Sequence, residues 1–407
     1  MQGSGANRAL NRSSTSRLIF AGVLGLLLYG MIAATFGTLL PTLSTRFHLT
    51  PEQSGYIAFA QAIGLTIASI AAGPLLDNKG AKTTYLVGLF LVAAALLALP
   101  ESQGALQITG CMFLLGLGGS TVVTASNTLI SEVGEKRRAS VLSFSHIFFG
   151  MGGLLTPLLV ANLLHGEEML LCYVVLVLTA IVFAVDATTR MPPPSHERSF
   201  SIAEARGLKG KPLLILLTAF VFLYVACELG FWTWLPKELM AQGIAEKTAL
   251  NILSLGFALG MMSGRLAGSR ILARYSAHRV SLACSALMVF AMLASLRSTD
   301  ATAAAISVFC AGLAMGPVFP SSIAITGDAF PRMTGTCIGL VSTAGYIGMA
   351  ASSWLIGAIA GHNDRRLATA LLVLPMFAGV MVFLMILLGP MLKKQQATIA
   401  GGAGLAI

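Results

Sequence analysis

Long apolar runs separated by short polar segments dominate the chain. Twelve runs approach or exceed the length that a helix needs to cross a hydrocarbon core of about 30 Å. Helices are expected because lipid offers no partner to backbone N–H and C=O groups, and the runs lack the alternation of barrel strands. The runs cover residues 18–43, 55–76, 84–99, 106–130, 140–164, 169–185, 212–235, 249–266, 280–296, 301–325, 336–360 and 367–388.

Composition supports a membrane protein. Of the 407 residues, 56% are hydrophobic and only 10% are charged, whereas a soluble domain carries about 25% charged residues. This excludes a soluble enzyme, a disordered scaffold or a nucleic-acid-binding protein as a description of the whole chain. The six cysteines lie inside apolar runs without Cys-x-x-Cys spacing, so we expect packing residues and no metal site.

The distribution of basic residues predicts the topology. With both termini in the cytoplasm, 20 of the 26 Lys and Arg residues fall on the cytoplasmic side of the twelve spans. This satisfies the positive-inside rule, and adding or removing one span would scramble the asymmetry. We therefore expect a multi-pass protein of the plasma (inner) membrane.

The two halves of the chain repeat each other. Leu28-Tyr29 and the segment 36–41 recur as Leu223-Tyr224 and the segment 231–236, at an offset of 195 residues, and a second match around span four has an offset of 196. Such duplication is typical of transporters. We predict an all-α integral membrane fold with two pseudo-symmetric six-helix bundles around a central cavity. The predicted parts are residues 1–185, a cytoplasmic linker at 186–211, and residues 212–407.

The loop after span two carries a recognisable motif. It reads Gly73-Pro-Leu-Leu-Asp77-Asn-Lys79-Gly80-Ala-Lys82, which resembles the Gly-x-x-x-Asp-basic-x-Gly-basic-basic signature of the major facilitator superfamily. Asn78 and Ala81 replace two of the expected basic residues. The resemblance implies that Asp77, Lys79 and Lys82 act in gating, through ion pairs that close the inner side. Within the superfamily, the segment 223–232 of span seven resembles the fucose/hexose permeases.

One acid is predicted to lie deep in the membrane. Glu228 falls about two-thirds of the way along span seven, where a charged residue costs about 2.5 to 3.5 kcal/mol. Tyr224 and Trp232 lie one turn away on either side, on the same helix stripe. Aromatic rings and a carboxylate suit a sugar, because rings cover its C–H faces and the acid binds its hydroxyl groups.

Polar stripes on other spans supply further candidates for substrate binding. They either line a water-filled route or hold helices together by hydrogen bonds. The candidate residues beside Glu228, Tyr224 and Trp232 are Gln61, Asn127, His146, Asn251 and Tyr346. The resemblance to the permeases leads us to expect acidic residues in spans one and four, but none lies between the ends of those spans. The candidates for proton coupling are therefore Glu228 and His146.

These features predict a secondary transporter of a small neutral solute, most simply a monosaccharide, that works by alternating access. No phosphate-binding loop for ATP is present. An exporter of drugs or other organic solutes and a sodium-coupled sugar carrier stay open as alternatives. One buried acid and one histidine on different spans do not make a catalytic constellation, so no enzyme is expected. We expect no cofactor and no nucleic-acid partner. We expect the chain to act as a monomer in the lipid bilayer and to use a proton or a sodium ion as the coupling ion.

Overall fold

The chain folds into helices that match the apolar runs. A computed structural model describes the backbone at residues 3–133, 138–189, 191, 210–298, 300–330 and 334–403. Within these ranges it describes the side chains from residue 16 to residue 395, apart from those of residues 77, 131–144 and 334–336. Twelve helical segments of this described part are long and apolar enough to cross a membrane, which confirms the predicted number of spans.

The first six spans lie in five helical segments, the second of which contains a break. These run Gly3–Phe47, Pro51–Ala98, Ala105–Val133, Arg138–Asn162 and Leu170–Thr188. The second contains spans two and three, which meet at Gly80 with φ 81° and ψ 166°. Glycine adopts positive φ without the steric cost that a side chain brings. The glycine of the signature motif therefore marks the break between the two spans.

The second six spans include interrupted helices. Span seven is Pro212–Ala241, span nine is Ala277–Leu296 and span eleven is Thr334–Ala360. Span eight combines Glu246–Asn251, a π-helical segment Ile252–Ala258 and Leu259–Ile271, and span ten divides into Ala301–Met315 and Val318–Ala329. Span twelve consists of the turn Asp364–Arg366, Leu367–Leu371 and Val373–Ala403. Irregular turns inside membrane helices occur where protein rather than lipid surrounds the backbone.

The contacts divide the chain into two compact units. One comprises Met1–Phe47 and Ala60–Ser199, and the other comprises His48–Phe59 and Phe200–Ile407. The first turns of span two thus belong to the second unit, where Gly55 lies against Gly357 of span eleven. Span six ends at Thr188. Asp186 is therefore part of that helix, whereas the sequence pattern placed it in the linker. Residues 192–209 of the predicted linker lie outside the described residues.

Helix packing reproduces the internal repeat. Gly116 of span four leaves no room for a side chain because it lies against the carbonyl of Gln61, and Gly312 of span ten lies in the same way against the carbonyl of Phe257. Both residues of the second contact follow those of the first by 196 positions. Two further pairs of contacts repeat at 195 or 196 positions: Gly64–Phe113 with Gly260–Phe309, and Gly152–Leu27 with Gly348–Phe222. Small residues allow such close backbone approach between membrane helices.

Candidate functional site

The predicted stripe on span seven faces the interior of its unit. Tyr224, Glu228 and Trp232 have exposed fractions of 0%, 8% and 5%. Residues spaced by four lie one above the other on a helix, so the three side chains form a continuous face. Their burial excludes the interpretation that Glu228 points outward at lipid.

Glu228 has a basic partner that the sequence pattern did not supply. Arg265 of span eight places Nη2 3.9 Å from Glu228 Oε1. Arg265 is partly buried, with an exposed side-chain fraction of 22%. The side chain is held among protein groups, with Nη2 also 3.4 Å from the sulfur of Met261. A buried acid paired with a base costs far less than one that stands alone.

Tyr224 links span seven to span ten. Its hydroxyl donates a hydrogen bond of 2.9 Å to the carbonyl of Met315 and also interacts with the Glu228 carboxyl. The first helix of span ten ends at Met315, because Pro317 lacks the N–H that a continuing helix needs. Helix ends leave carbonyls without intrahelical donors. The break therefore provides the acceptor that fixes the phenol beside the acid.

Trp232 contributes an aromatic wall and an available donor. Its ring meets that of Phe257 edge to face, with centroids 5.3 Å apart, and Phe257 lies in the π-helical segment of span eight. The indole nitrogen of Trp232 is buried and has no hydrogen-bond acceptor among the described residues. A buried donor without a partner is costly unless a ligand or water completes it. Single-turn π segments also occur frequently at functional sites.

The remaining candidates divide between the two units. Asn251 and Tyr346 belong to the same unit as Glu228, are half-buried and have interaction partners. Gln61, Asn127 and His146 belong to the other unit. There, Gln61 is buried, and the half-buried Asn127 keeps an amide oxygen without a donor among the described residues. His146 is half-buried and has an interaction partner.

The candidate gating residues have different environments. The side chain of Asp77 lies outside the described residues, and Lys79 is exposed. Lys82 donates to the carbonyls of Ala187 and Thr189, at 2.6 Å and 3.5 Å, at the end of span six. Basic side chains at helix C-termini satisfy such terminal carbonyls. A role for the three residues in gating stays a prediction.

Two further acids are buried within spans. Asp186 has an exposed fraction of 0% and Glu238 one of 2%, and each lies in the last turn of its helix. Lys237, which precedes Glu238 in the same helix, is also buried. Glu238 accepts a 3.0 Å hydrogen bond from Gln242, and Lys237 lies 3.0 Å from Asp364. Hydropathy missed these residues because it does not show which helix ends other segments cover.

Comparison with known proteins identifies the family. The model of the Major Facilitator Superfamily matches residues 22–353. The chain belongs to the Major Facilitator Superfamily. It is a multi-pass membrane transporter and not an enzyme, and both the predicted fold class and the predicted resemblance are confirmed. Within the described residues, no group of three His, Cys, Asp or Glu side chains is arranged to hold a metal ion.

Curated relatives are distant but cover the chain well. Bypass of stop codon protein 6 of Saccharomyces cerevisiae is 22% identical over 383 residues, which cover 84% of this chain and 76% of the relative. Protein TsgA of Shigella boydii serotype 18 is 23% identical over 391 residues, which cover 95% of this chain and 98% of the relative. Neither name states a substrate.

Solved structures of superfamily transporters share the fold. The xylose transporter XylE from E. coli has a TM-score of 0.76 at 13% identity and covers 94% of this chain and 99% of its own. The nucleoside transporter NupG has a TM-score of 0.74 at 14% identity, with 92% and 98% covered. The E. coli fucose:proton symporter FucP has a TM-score of 0.64 at 17% identity, with 91% and 98% covered.

Proposed function

We propose that this superfamily member transports a small neutral polyhydroxylated solute, of the monosaccharide class, across the plasma (inner) membrane by alternating access. The observation that carries the proposal is the cluster of Glu228, Arg265, Tyr224 and Trp232 inside one unit. It offers a carboxylate, a guanidinium and an indole N–H to hydroxyl groups, beside aromatic surface for C–H faces.

The charges of the cluster favour a neutral solute. Glu228 and Arg265 lie 3.9 Å apart and compensate one another, so the ionised pair presents no net charge to a ligand. An anionic solute would have to displace Glu228 from Arg265, and a lipophilic cation would have to displace Arg265 from Glu228. Hydroxyl groups both donate and accept, and therefore bind to such a pair without separating it.

We further propose that Glu228 carries the coupling proton. The hydrogen of the Tyr224 hydroxyl is donated to Met315, so the phenol oxygen is left as an acceptor for a protonated Glu228. In the ionised state the carboxylate instead pairs with Arg265. Protonation of Glu228 thereby exchanges Arg265 for Tyr224 as its partner, which links the charge of the site to its geometry. A solved D-xylose-proton symporter, with a TM-score of 0.72 at 14% identity, and the fucose:proton symporter FucP have the same fold, and this likeness supports a proton as the coupling ion.

Uptake into proteoliposomes tests this function. The purified protein is reconstituted, and a panel of labelled monosaccharides is offered with an imposed proton gradient, an imposed sodium gradient or none. We expect accumulation of at least one sugar with the proton gradient, and competition by unlabelled sugars but not by lipophilic cations. Accumulation that requires sodium would refute the coupling ion. Competition by lipophilic cations and by no sugar would refute the substrate class and favour an exporter.

A further inference from the structure

An acid at one end of the amino-terminal unit takes no part in the proposed transport site. Asp186 lies in the last turn of span six and has an exposed fraction of 0%. Neither of its carboxylate oxygens has a hydrogen-bond donor among the described residues. An ionised carboxylate is strongly disfavoured in such surroundings, whereas a protonated carboxyl group avoids most of the penalty.

A lysine lies close to this acid but makes its hydrogen bonds elsewhere. Lys82 of span three interacts electrostatically with Asp186. Its ammonium group nevertheless donates to the carbonyls of Ala187 and Thr189, at 2.6 Å and 3.5 Å. The ammonium group of Lys82 thus has two alternative sets of acceptors at the end of span six: the backbone carbonyls and the Asp186 carboxylate.

The equivalent positions in the second half show which feature of this arrangement is shared by both bundles and which is specific to the first. His278 follows Lys82 by 196 positions, and its Nε2 lies 2.7 Å from the carbonyl of Met385 in span twelve. A side-chain contact with a backbone carbonyl of the last span is therefore common to both bundles. The position 196 residues after Asp186 is Val382, so the shared architecture does not require an acid there.

Among the residues that the structure describes, few other ionisable groups lie around Asp186. Tyr85, one turn after Lys82, interacts electrostatically with Asp186, and its hydroxyl is hydrogen-bonded to Ser126. Span six packs against spans one and five. The described ionisable side chains of those spans at this end are Arg17, which is exposed, and His146, which is half-buried. Within the described part of the chain, Lys82 is the charged residue that acts electrostatically on the Asp186 carboxyl.

We propose that Asp186 is a proton-binding site of the amino-terminal bundle, with Lys82 as its switchable partner. When Asp186 holds the proton, Lys82 donates to the carbonyls at the end of span six. When the proton leaves to solvent, the ammonium group keeps its own protons and turns to the carboxylate. Proton binding here is separate from proton binding at Glu228, and it links pH to the contact between spans three and six.

Infrared difference spectroscopy of the purified full-length protein in lipid nanodiscs tests the proposal. Protonated carboxyl groups absorb separately from ionised ones, so each contributes a band that disappears on deprotonation. We expect Asp186→Asn to lose one such band while folding remains intact. Glu101→Gln, at an exposed acid, is the control and should keep that band. A spectrum of Asp186→Asn that matches the wild type would overturn the proposal.

Titration of Lys82→Met provides an independent test that keeps Asp186 in place. Without the ammonium group, the ionised acid loses its compensating charge, and the band should persist to a higher pH than in the wild type. A band that disappears at the same pH or at a lower one would contradict the switch. Because Glu228→Gln should remove a different band, failure of this proposal is distinguishable from failure of proton binding at Glu228.

Discussion

The pairing of Glu228 with Arg265 predicts a strong energetic coupling between the two residues. Arg265→Met keeps the length and apolar contacts of the side chain but removes its charge, and Glu228→Gln removes the opposite charge. Each single change leaves the remaining group in a buried environment without its partner. The double variant removes both charges and leaves neutral groups that pack in the same space. The four proteins form a double-mutant cycle.

The magnitude follows from the distance and the burial. Two unit charges 3.9 Å apart attract by about 4 kcal/mol at an effective dielectric constant of about 20. Breaking a buried pair by removing one partner costs about 3 to 5 kcal/mol, whereas replacing both partners is often neutral. Protonation of the orphaned acid limits the loss in Arg265→Met. We therefore expect a coupling of at least about 2 kcal/mol, with the double variant more stable than either single variant.

Chemical unfolding in detergent micelles measures this coupling, and the same unit offers a control pair. Lys237 and Asp364 lie closer together, at 3.0 Å, but the Asp364 side chain has an exposed fraction of 62%. Exposed pairs contribute at most about 1 kcal/mol, so Lys237→Met with Asp364→Asn should show weaker coupling despite the shorter distance. Additive effects in the Glu228–Arg265 cycle, or coupling no larger than in the control, would refute the assigned pairing.

Three further changes have defined outcomes. Gly312→Ala should destabilise the protein by about 1 to 3 kcal/mol, because its Cβ would meet the carbonyl of Phe257. Gly110→Ala, with open space around it, should not destabilise the protein. Gly80→Ala should destabilise the protein by about 1 to 3 kcal/mol, because φ 81° and ψ 166° form a backbone conformation that is largely restricted to glycine. Gly73→Ala, also in open space, should not destabilise the protein, and equal effects of the two changes would contradict this reasoning. Trp232→Phe should weaken sugar binding about 2- to 12-fold in equilibrium titration by removing one donor, and unchanged affinity would exclude contact of the indole N–H with the sugar.

Hydropathy and duplication were sufficient to predict the architecture. The spans followed from the apolar runs because a membrane helix must satisfy its own backbone, so the pattern in one segment decides its structure. The repeat followed from short matches such as Leu28-Tyr29 with Leu223-Tyr224. The structure adds that the two halves also repeat close helix contacts, since Gly116 and Gly312 occupy equivalent positions against the carbonyls of Gln61 and Phe257.

Contacts between spans could not be predicted in the same way. The stripe of Tyr224, Glu228 and Trp232 follows from helix geometry, but the proximity of Arg265 depends on how span eight packs against span seven. Likewise, the apolar run ends before Asp186, because an acid lowers local hydropathy even where neighbouring spans bury it. Periodicity describes one helix at a time, whereas partners of buried charges come from other helices.

Gradient-driven accumulation compared with counterflow exchange tests the central claim most directly. Glu228→Gln should abolish sugar accumulation under an imposed proton gradient but retain exchange of labelled for unlabelled sugar, because binding survives while proton transfer does not. Glu238→Gln is the matched control, since it neutralises another buried acid of the same helix, and it should keep both activities. Undiminished accumulation in Glu228→Gln would contradict the assignment of Glu228 as the proton carrier, and equal loss of both activities would reduce Glu228 to a binding residue.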